Sequence, residues 1–297
     1  LSPSKKLNLD SQDIVDHYTQ CEFIKSAEIL ANEAKNLTEN DLKDLMDISD
    51  KLAKLNRERF DRWALPFNQE NAKQAALTFD GGVYSGLKAD TFSEKDFTFA
   101  QDHLRILSGL YGILKPLDLI QPYRLEMGVG FQNPKGKDLY AFWKESITNS
   151  LNKTLKKHSS PVIVNCASIE YFSAIDVSKL DGDILSIVFK EYRNGELKFI
   201  SFNAKKARGL MTQYIIKNEI NNLNGIKDFN YEDYKFDLEN YYKILKFKDE
   251  YYGKICGDDF ELSYNELLKS IQKKELDKIL SENKKTDYLI LGKFKFH

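Results

Sequence analysis

Between Ser11 and Trp63 apolar residues recur at spacings of three and four, as in Ile24, Ala27, Leu30, Ala31 and Ala34 and again in Leu52, Leu55 and Phe60. That period predicts helices. Thr38 with Asp41, and Ser49 ahead of Lys51, supply N-cap starts for two or three helices forming an outer layer. Ala75 to Phe79 predicts a short strand before the turn Asp80-Gly81-Gly82. Ser93, with Asp96 in capping-box position, opens a helix to about Leu107, and a further amphipathic helix runs from Asp138 to about Lys156. The β-branched run Pro161 to Cys166 predicts a buried strand. Ile184–Tyr192 and Glu196–Phe202, joined by Arg193-Asn194-Gly195, predict a hairpin, because Asn-Gly favours the type I′ turn that matches strand twist. A helix follows from near Ala204, capped by Asn203, to about Ile220.

With no βαβα alternation and no repeat, these elements predict an α+β or mixed α/β fold in one compact domain. The character changes after Asp228. Residues Asp228 to Leu262 hold ten acidic and five basic side chains with six tyrosines, then Ser263 and Glu266 open a Lys/Glu-rich helix to about Ser281, before the apolar strand Tyr288 to Leu291. We divide the chain into a domain at 1–248 and a C-terminal extension at 249–297, whose acidic edge would sit away from any polyanion.

A chain of 297 residues with 42% hydrophobic content has enough apolar side chain for one sizeable core. Its 44 Lys+Arg against 45 Asp+Glu leave a formal charge of -1, so affinity for nucleic acid would have to come from local asymmetry. No run is long and apolar enough for a membrane span or a secretory core, so the expected location is the cytoplasm, away from any membrane. Cys21, Cys166 and Cys256 are far apart, which indicates neither disulfides nor a cysteine zinc site, and no metal or cofactor is expected.

Three segments carry candidate chemistry. Leu104 to Lys115 has the outline of a helix-hairpin-helix, in which Gly109 and Gly112 would let a phosphate approach the backbone and Lys115 would supply a cation. Pro116 shortens any second helix, so a helix C-cap followed by a turn is an equal alternative. Arg124 and Glu126 alternate with apolar neighbours and point to one side of an extended segment, either as an ion pair or as an anion fork beside an acid/base carboxylate. Lys205, Lys206 and Arg208 crowd a predicted helix start, where cations oppose the macrodipole unless an anion is present. Three of only seven arginines fall in these segments. Ser168, after a strand, is expected to cap a helix; neither it nor Cys166 has an assignable histidine partner, and Glu170 is a further candidate carboxylate.

The runs Gly82 to Leu87, Thr91 to Glu94, Leu104 to Gly112, Pro116 to Asp118, Gln121 to Gly128, Gly136 to Tyr140 and Ser201 to Met211, with the opening Leu1-Ser2-Pro3-Ser4-Lys5-Lys6, closely resemble the YaaA peroxide-stress protein family over about residues 1–240. The resemblance implies a cytoplasmic bacterial protein that limits oxidative damage to DNA and proteins, in part by lowering free iron. It implies a mixed α/β fold peculiar to the family, with a helix-hairpin-helix and a cationic cleft for double-stranded DNA. Carried onto this chain, the hairpin is Ser108 to Gly112 and the cleft draws on Lys5, Lys6, Arg105, Lys115, Arg124, Lys205, Lys206 and Arg208. A family strand ahead of Ser2 is missing from this sequence, and the tail past about Asp249 exceeds the family's usual end.

Two functions remain open at this level. One is noncatalytic duplex binding. The other is an enzyme acting on a nucleic acid, nucleotide or other anionic small molecule through Arg124, Glu126 and Lys206, since carboxylates among cations suit acid/base work better than DNA coating. Iron sequestration by the chain itself is poorly supported, because His and Cys are few and unclustered.

Overall fold

The computed structural model describes residues 1–10, 14–193, 196–236 and 286–293. An N-terminal strand β1 (Lys6–Leu7) leads into three helices, α1 (Ile24–Lys35), α2 (Glu39–Met46) and α3 (Asp50–Arg62). Thr38 and Asp41 form the expected capping box on α2, which satisfies two backbone amides reciprocally. The buried stripe of α1 is Ala27, Leu30, Ala31 and Ala34, and its small side chains let it pack closely on α3.

The residues 73–80 depart from the predicted strand: β2 (Lys73–Gln74) and β3 (Phe79–Asp80) flank a single helical turn, α4 (Ala75–Thr78). Thr78 Oγ1 donates to Gln74 O, a bond within that turn which an extended chain could not make. Next come α5 (Tyr84–Leu87) and α6 (Glu94–His103), the latter closed by the predicted Ser93/Asp96 capping box.

The segment 104–115 is not a helix-hairpin-helix. Helix α6 stops at His103, and β4 (Ile106–Ser108) and β5 (Gly112–Leu114) form an antiparallel β-hairpin in register Ile106↔Leu114. Gly112 is needed there for its positive φ of 71° and because Trp143 lies against it, with ring carbons 2.7 Å from where a Cβ would stand. Both strands are buried, so the predicted phosphate-binding glycines face protein rather than solvent.

After β6 (Leu119–Ile120), the long helix α7 (Leu139–Leu155) is capped by Asp138, whose side chain accepts from Ala141 N. Strand β7 (Val162–Asn165) and the single turn α8 (Ile169–Phe172) follow. The predicted hairpin is present as β8 (Asp183–Arg193) and β9 (Glu196–Lys198), antiparallel. Its second strand is shorter than expected, because α9 (Ser201–Lys217) already begins at Ser201. Two small elements, α10 (Leu223–Lys227) and β10 (Tyr234–Phe236), precede β11 (Thr286–Lys293), which includes the apolar run expected as a strand. The remainder of the proposed extension, with its predicted helix, lies outside the described residues.

The fold is mixed α/β with small sheets. The largest runs β10-β11-β8-β7, with β11 and β7 each parallel to β8, and β9 pairs with β8 off this path. Two-stranded pairs β1–β3, β2–β6 and β4–β5 tie the helical layer to the centre. The core holds Trp63, Trp143, Tyr111 and Phe60, each fully buried. Its polar tips are satisfied: Trp63 Nε1 donates to the Tyr111 hydroxyl at 3.0 Å, and Trp143 Nε1 to Gly109 O at 2.8 Å. No helix of the described residues is long and apolar enough to cross a membrane.

Candidate functional site

The N-terminal loop is the organiser of the site. Leu1 donates its nitrogen to Arg105 O and accepts from Leu107 N, pairing alongside β4. Ser2 Oγ accepts from Ser168 N at 2.8 Å and donates to Ser168 Oγ at 3.2 Å, while Tyr84 OH donates to Ser2 O. Ser168 thus holds the cap position of α8 but spends its hydroxyl on the N-terminal loop, with no cap bond to its own helix. Ser4 Oγ donates to Asp80 O, a close approach that requires a glycine at Gly81, where φ is 139° and a Cβ would stand 2.6 Å from that oxygen.

These ties deliver Lys5 to the segment carrying Arg124 and Glu126. Lys5 Nζ lies 2.9 Å from Glu126 Oε1, and Arg124 donates to the same oxygen from Nε at 3.2 Å and Nη2 at 3.0 Å. The Arg124 and Glu126 side chains are only 13% and 11% exposed, whereas Lys5 is 66% exposed. Charges withdrawn from water interact strongly, so this pairing counts for more than a surface ion pair. All three N–H donors converge on Oε1. The other oxygen, Oε2, is buried and has no hydrogen-bond partner among the described residues.

Glu170 stands close by, accepting from Gly128 N at 3.1 Å, and its backbone carbonyl accepts from the Tyr140 hydroxyl. Burial raises the Tyr171 phenol, and the neighbouring Tyr123, Glu170 and Glu126 add to the effect. Arg59, from the end of α3, is lowered by burial and by the positive charge of Arg124 beside it. Arg59 was not among the sequence candidates. The only hint was the clustering of Arg57, Arg59 and Arg62 in a lysine-biased chain.

Cationic candidates separate into several places. Lys6 is 76% exposed and pairs with Asp80 at 2.5 Å, and Lys205 lies over Gly82, its Cβ 3.3 Å from where a glycine Cβ would be. Lys6 and Lys205 therefore meet one turn, Asp80 to Gly82, while Lys5, next to Lys6 in the chain, is held by Glu126. Lys206 pairs with Glu232 at 2.5 Å, while Arg124 and Glu126 pair with each other. Arg208 stands beside Cys166, where its charge opposes the upward push that burial gives the thiol. A buried thiol shifted upward is a poor nucleophile. Asn203 is no N-cap: Ile200 holds that position, and the Asn203 amide donates to Glu191 Oε1 at 2.5 Å. With α9 starting at Ser201, Lys205 and Lys206 fall in its second turn, where the macrodipole argument for an anion is weaker. Arg105 and Lys115 line a different cavity, with Asp118 between them in the wall. Among the described residues no group of three or more His, Cys, Asp or Glu is placed to hold a metal ion.

The class defined by this architecture is a mixed α/β protein in which an N-terminal loop closes a buried arginine–carboxylate pair beneath exposed lysines. Sequence comparison narrows it further. The family profile described as "Peroxide stress protein YaaA" matches residues 1–240, and the chain belongs to that family. It is 48% identical over 237 residues to a UPF0246 protein from Cellvibrio japonicus (strain Ueda107), covering 80% of this chain and 92% of the relative. It is 51% identical over 237 residues to a UPF0246 protein from Saccharophagus degradans (strain 2-40 / ATCC 43961 / DSM 17024), covering 80% and 93%.

Proposed function

We propose that this peroxide-stress family member docks on the phosphate backbone of double-stranded DNA through the lysines around the Asp80–Gly82 turn. The observation that carries the reading is that the exposed Lys6 and Lys205 both meet the Asp80–Gly82 turn, and that the exposed Lys5, adjacent to Lys6 in the chain, is braced by Glu126 and Arg124. The buried hairpin at Ser108–Gly112 has no part in it. A tight helical pair does exist at α2–α3, joined by residues 47–49, with Asp47 left-handed and Asp50 in the first turn of α3. From that end α3 runs about 14 Å to Arg59 beside Arg124.

Each phosphate neutralised releases condensed counterions, so log K is expected to fall with log salt by about 0.9 per contact. Fluorescence anisotropy on a labelled duplex is expected to show a slope shallower by roughly 2–3 in a Lys5→Ala/Lys6→Ala/Lys205→Ala variant. An unchanged slope and affinity would sink the reading.

One observation favours a second reading, an enzyme for an anionic small molecule or nucleotide. Glu126 Oε2, buried without a donor while Oε1 has three, is poised to accept a proton or a hydrogen bond from a ligand. On that reading Glu126→Gln keeps duplex affinity within about twofold yet abolishes protection in hydroperoxide-stressed cells. Full protection by the variant would leave the carboxylate a structural brace.

A further inference from the structure

Arg105 and Lys115 belong to a cavity of about 310 Å³ that excludes every residue of the Glu126 site. Its walls come from Gln20 and Glu22, the end of β5 followed by Lys115 and Asp118, the last turn of α7 with Lys153, and Lys157 just beyond that helix. The volume is at the lower end of small-molecule sites. Four cations face two carboxylates, a formal excess of two positive charges in a wall that is polar on most sides.

How the charges are spent decides what the cavity can hold. Both carboxylates are engaged by neutral donors. Asp118 Oδ1 accepts from Thr19 Oγ1 at 2.6 Å and Oδ2 from the Lys115 backbone amide at 2.8 Å, and Glu22 Oε2 accepts from Ser150 Oγ at 2.6 Å. Burial pushes the Asp118 carboxyl upward against those bonds and against the nearby charges of Lys115 and Arg105. No carboxylate lies within 4.0 Å of the Lys115, Lys153 or Lys157 ammonium among the described residues. Arg105 is held in place: Nη1 donates to Gln101 O at 2.9 Å and Leu104 O at 2.8 Å, and Nη2 to Thr154 Oγ1 at 3.3 Å. A guanidinium has five N–H donors, so part of the fork is still unspent.

We propose that this cavity binds a small phosphate-bearing molecule, with the fixed Arg105 fork and the ammoniums of Lys115, Lys153 and Lys157 as its ligands. A planar fork matches two phosphate oxygens, while lysines on flexible stems close around the remaining charge. Lys153 lies in the last turn of α7 and Lys157 two residues past its end, and both line the cavity, so both can reach the same anion. None of the duplex-docking lysines lines this cavity.

The test is isothermal titration of the full chain with pyrophosphate at low salt, beside duplex titrations. Saturable binding is expected in the natural protein and at least tenfold weaker binding in Lys153→Ala/Lys157→Ala. Both side chains are exposed, so the variant should fold, and an unchanged melting temperature checks this. Its duplex affinity is expected to stay within twofold, and pyrophosphate binding should survive in the Lys5/Lys6/Lys205 variant. Absence of saturable pyrophosphate binding, or equal binding by the double variant, overturns the proposal. So does a double variant that loses duplex affinity instead, since the cavity would then be part of a backbone-docking surface.

Discussion

Gly209→Ala is expected to destabilise the protein by about 3 kcal/mol, opposite in sign to the usual effect of alanine in a helix. Elsewhere in a helix interior, alanine gains roughly 0.5–1 kcal/mol over glycine through chain entropy. At the crossing of α5 with α9 that gain is outweighed. A Cβ on Gly209 would stand 1.8 Å from Val83 O and 2.7 Å from Leu87 N, and one on Gly86 would stand 2.1 Å from Lys206 O. Backbone atoms are the obstacles, so no rotamer relieves the overlap and the helices must separate. Overpacking typically costs about 1–3 kcal/mol, and a rigid contact this close belongs at the upper end. Gly86→Ala opens the same gap from the other side, so the double variant should cost less than the sum. Gly130, with nothing within 4 Å of its would-be Cβ, is the neutral control. Urea midpoints measure all four, and an alanine at 209 that stabilises would show that the helices do not cross this closely.

Arg124→Ala is expected to cost about 3 kcal/mol, the lower end of the 3–5 kcal/mol seen when one partner leaves a buried ion pair. The lower figure applies because Lys5 still lies 2.9 Å from Glu126 Oε1 and partly compensates the orphaned charge. Adding Lys5→Ala should therefore cost far more in the Arg124→Ala background than in the natural protein. Replacing both members, as in Arg124→Met with Glu126→Leu, is expected to recover most of the loss, because it removes the uncompensated charge along with its partner. A chemical-denaturation cycle over these variants reads the coupling directly, and simple additivity would mean that the pair is better hydrated than its burial implies.

The sequence made the helices legible wherever local signals agreed. Thr38/Asp41 and Ser93/Asp96 box their helices, and Asp138 caps α7, because each cap needs only residues three positions apart. The segment 104–115 was misread for the opposite reason. Leu104, Leu107, Leu110 and Leu114 carry a helical spacing, yet Leu107 and Leu114 lie in strands that are buried throughout, where alternation is not required. What settles that segment is tertiary: Trp143 lies on Gly112, and Leu125 O stands 2.2 Å from where a Gly109 Cβ would be. No pattern within twelve residues reports such neighbours.

The candidate site divides along the same line. Arg124 and Glu126 could be paired from their spacing in an extended segment, and the structure pairs them. Lys206 could not be traced to Glu232, nor Asn203 to Glu191, because those partners are set by how α9 packs. Lys153 and Lys157 escaped notice because a lysine-rich helix end is favourable on its own account and so carries no signal of a ligand.

The serine tie between Ser2 and Ser168 spans 166 positions, and it sets a timetable for the growing chain. At about 5–20 residues per second, Ser2 waits roughly 10–30 s before Ser168 exists. For that interval the loop has its ties to Asp80, Tyr84 and Arg105 but lacks the one to Ser168. The loop that carries Lys5 therefore completes its ties only once the start of α8 has been made.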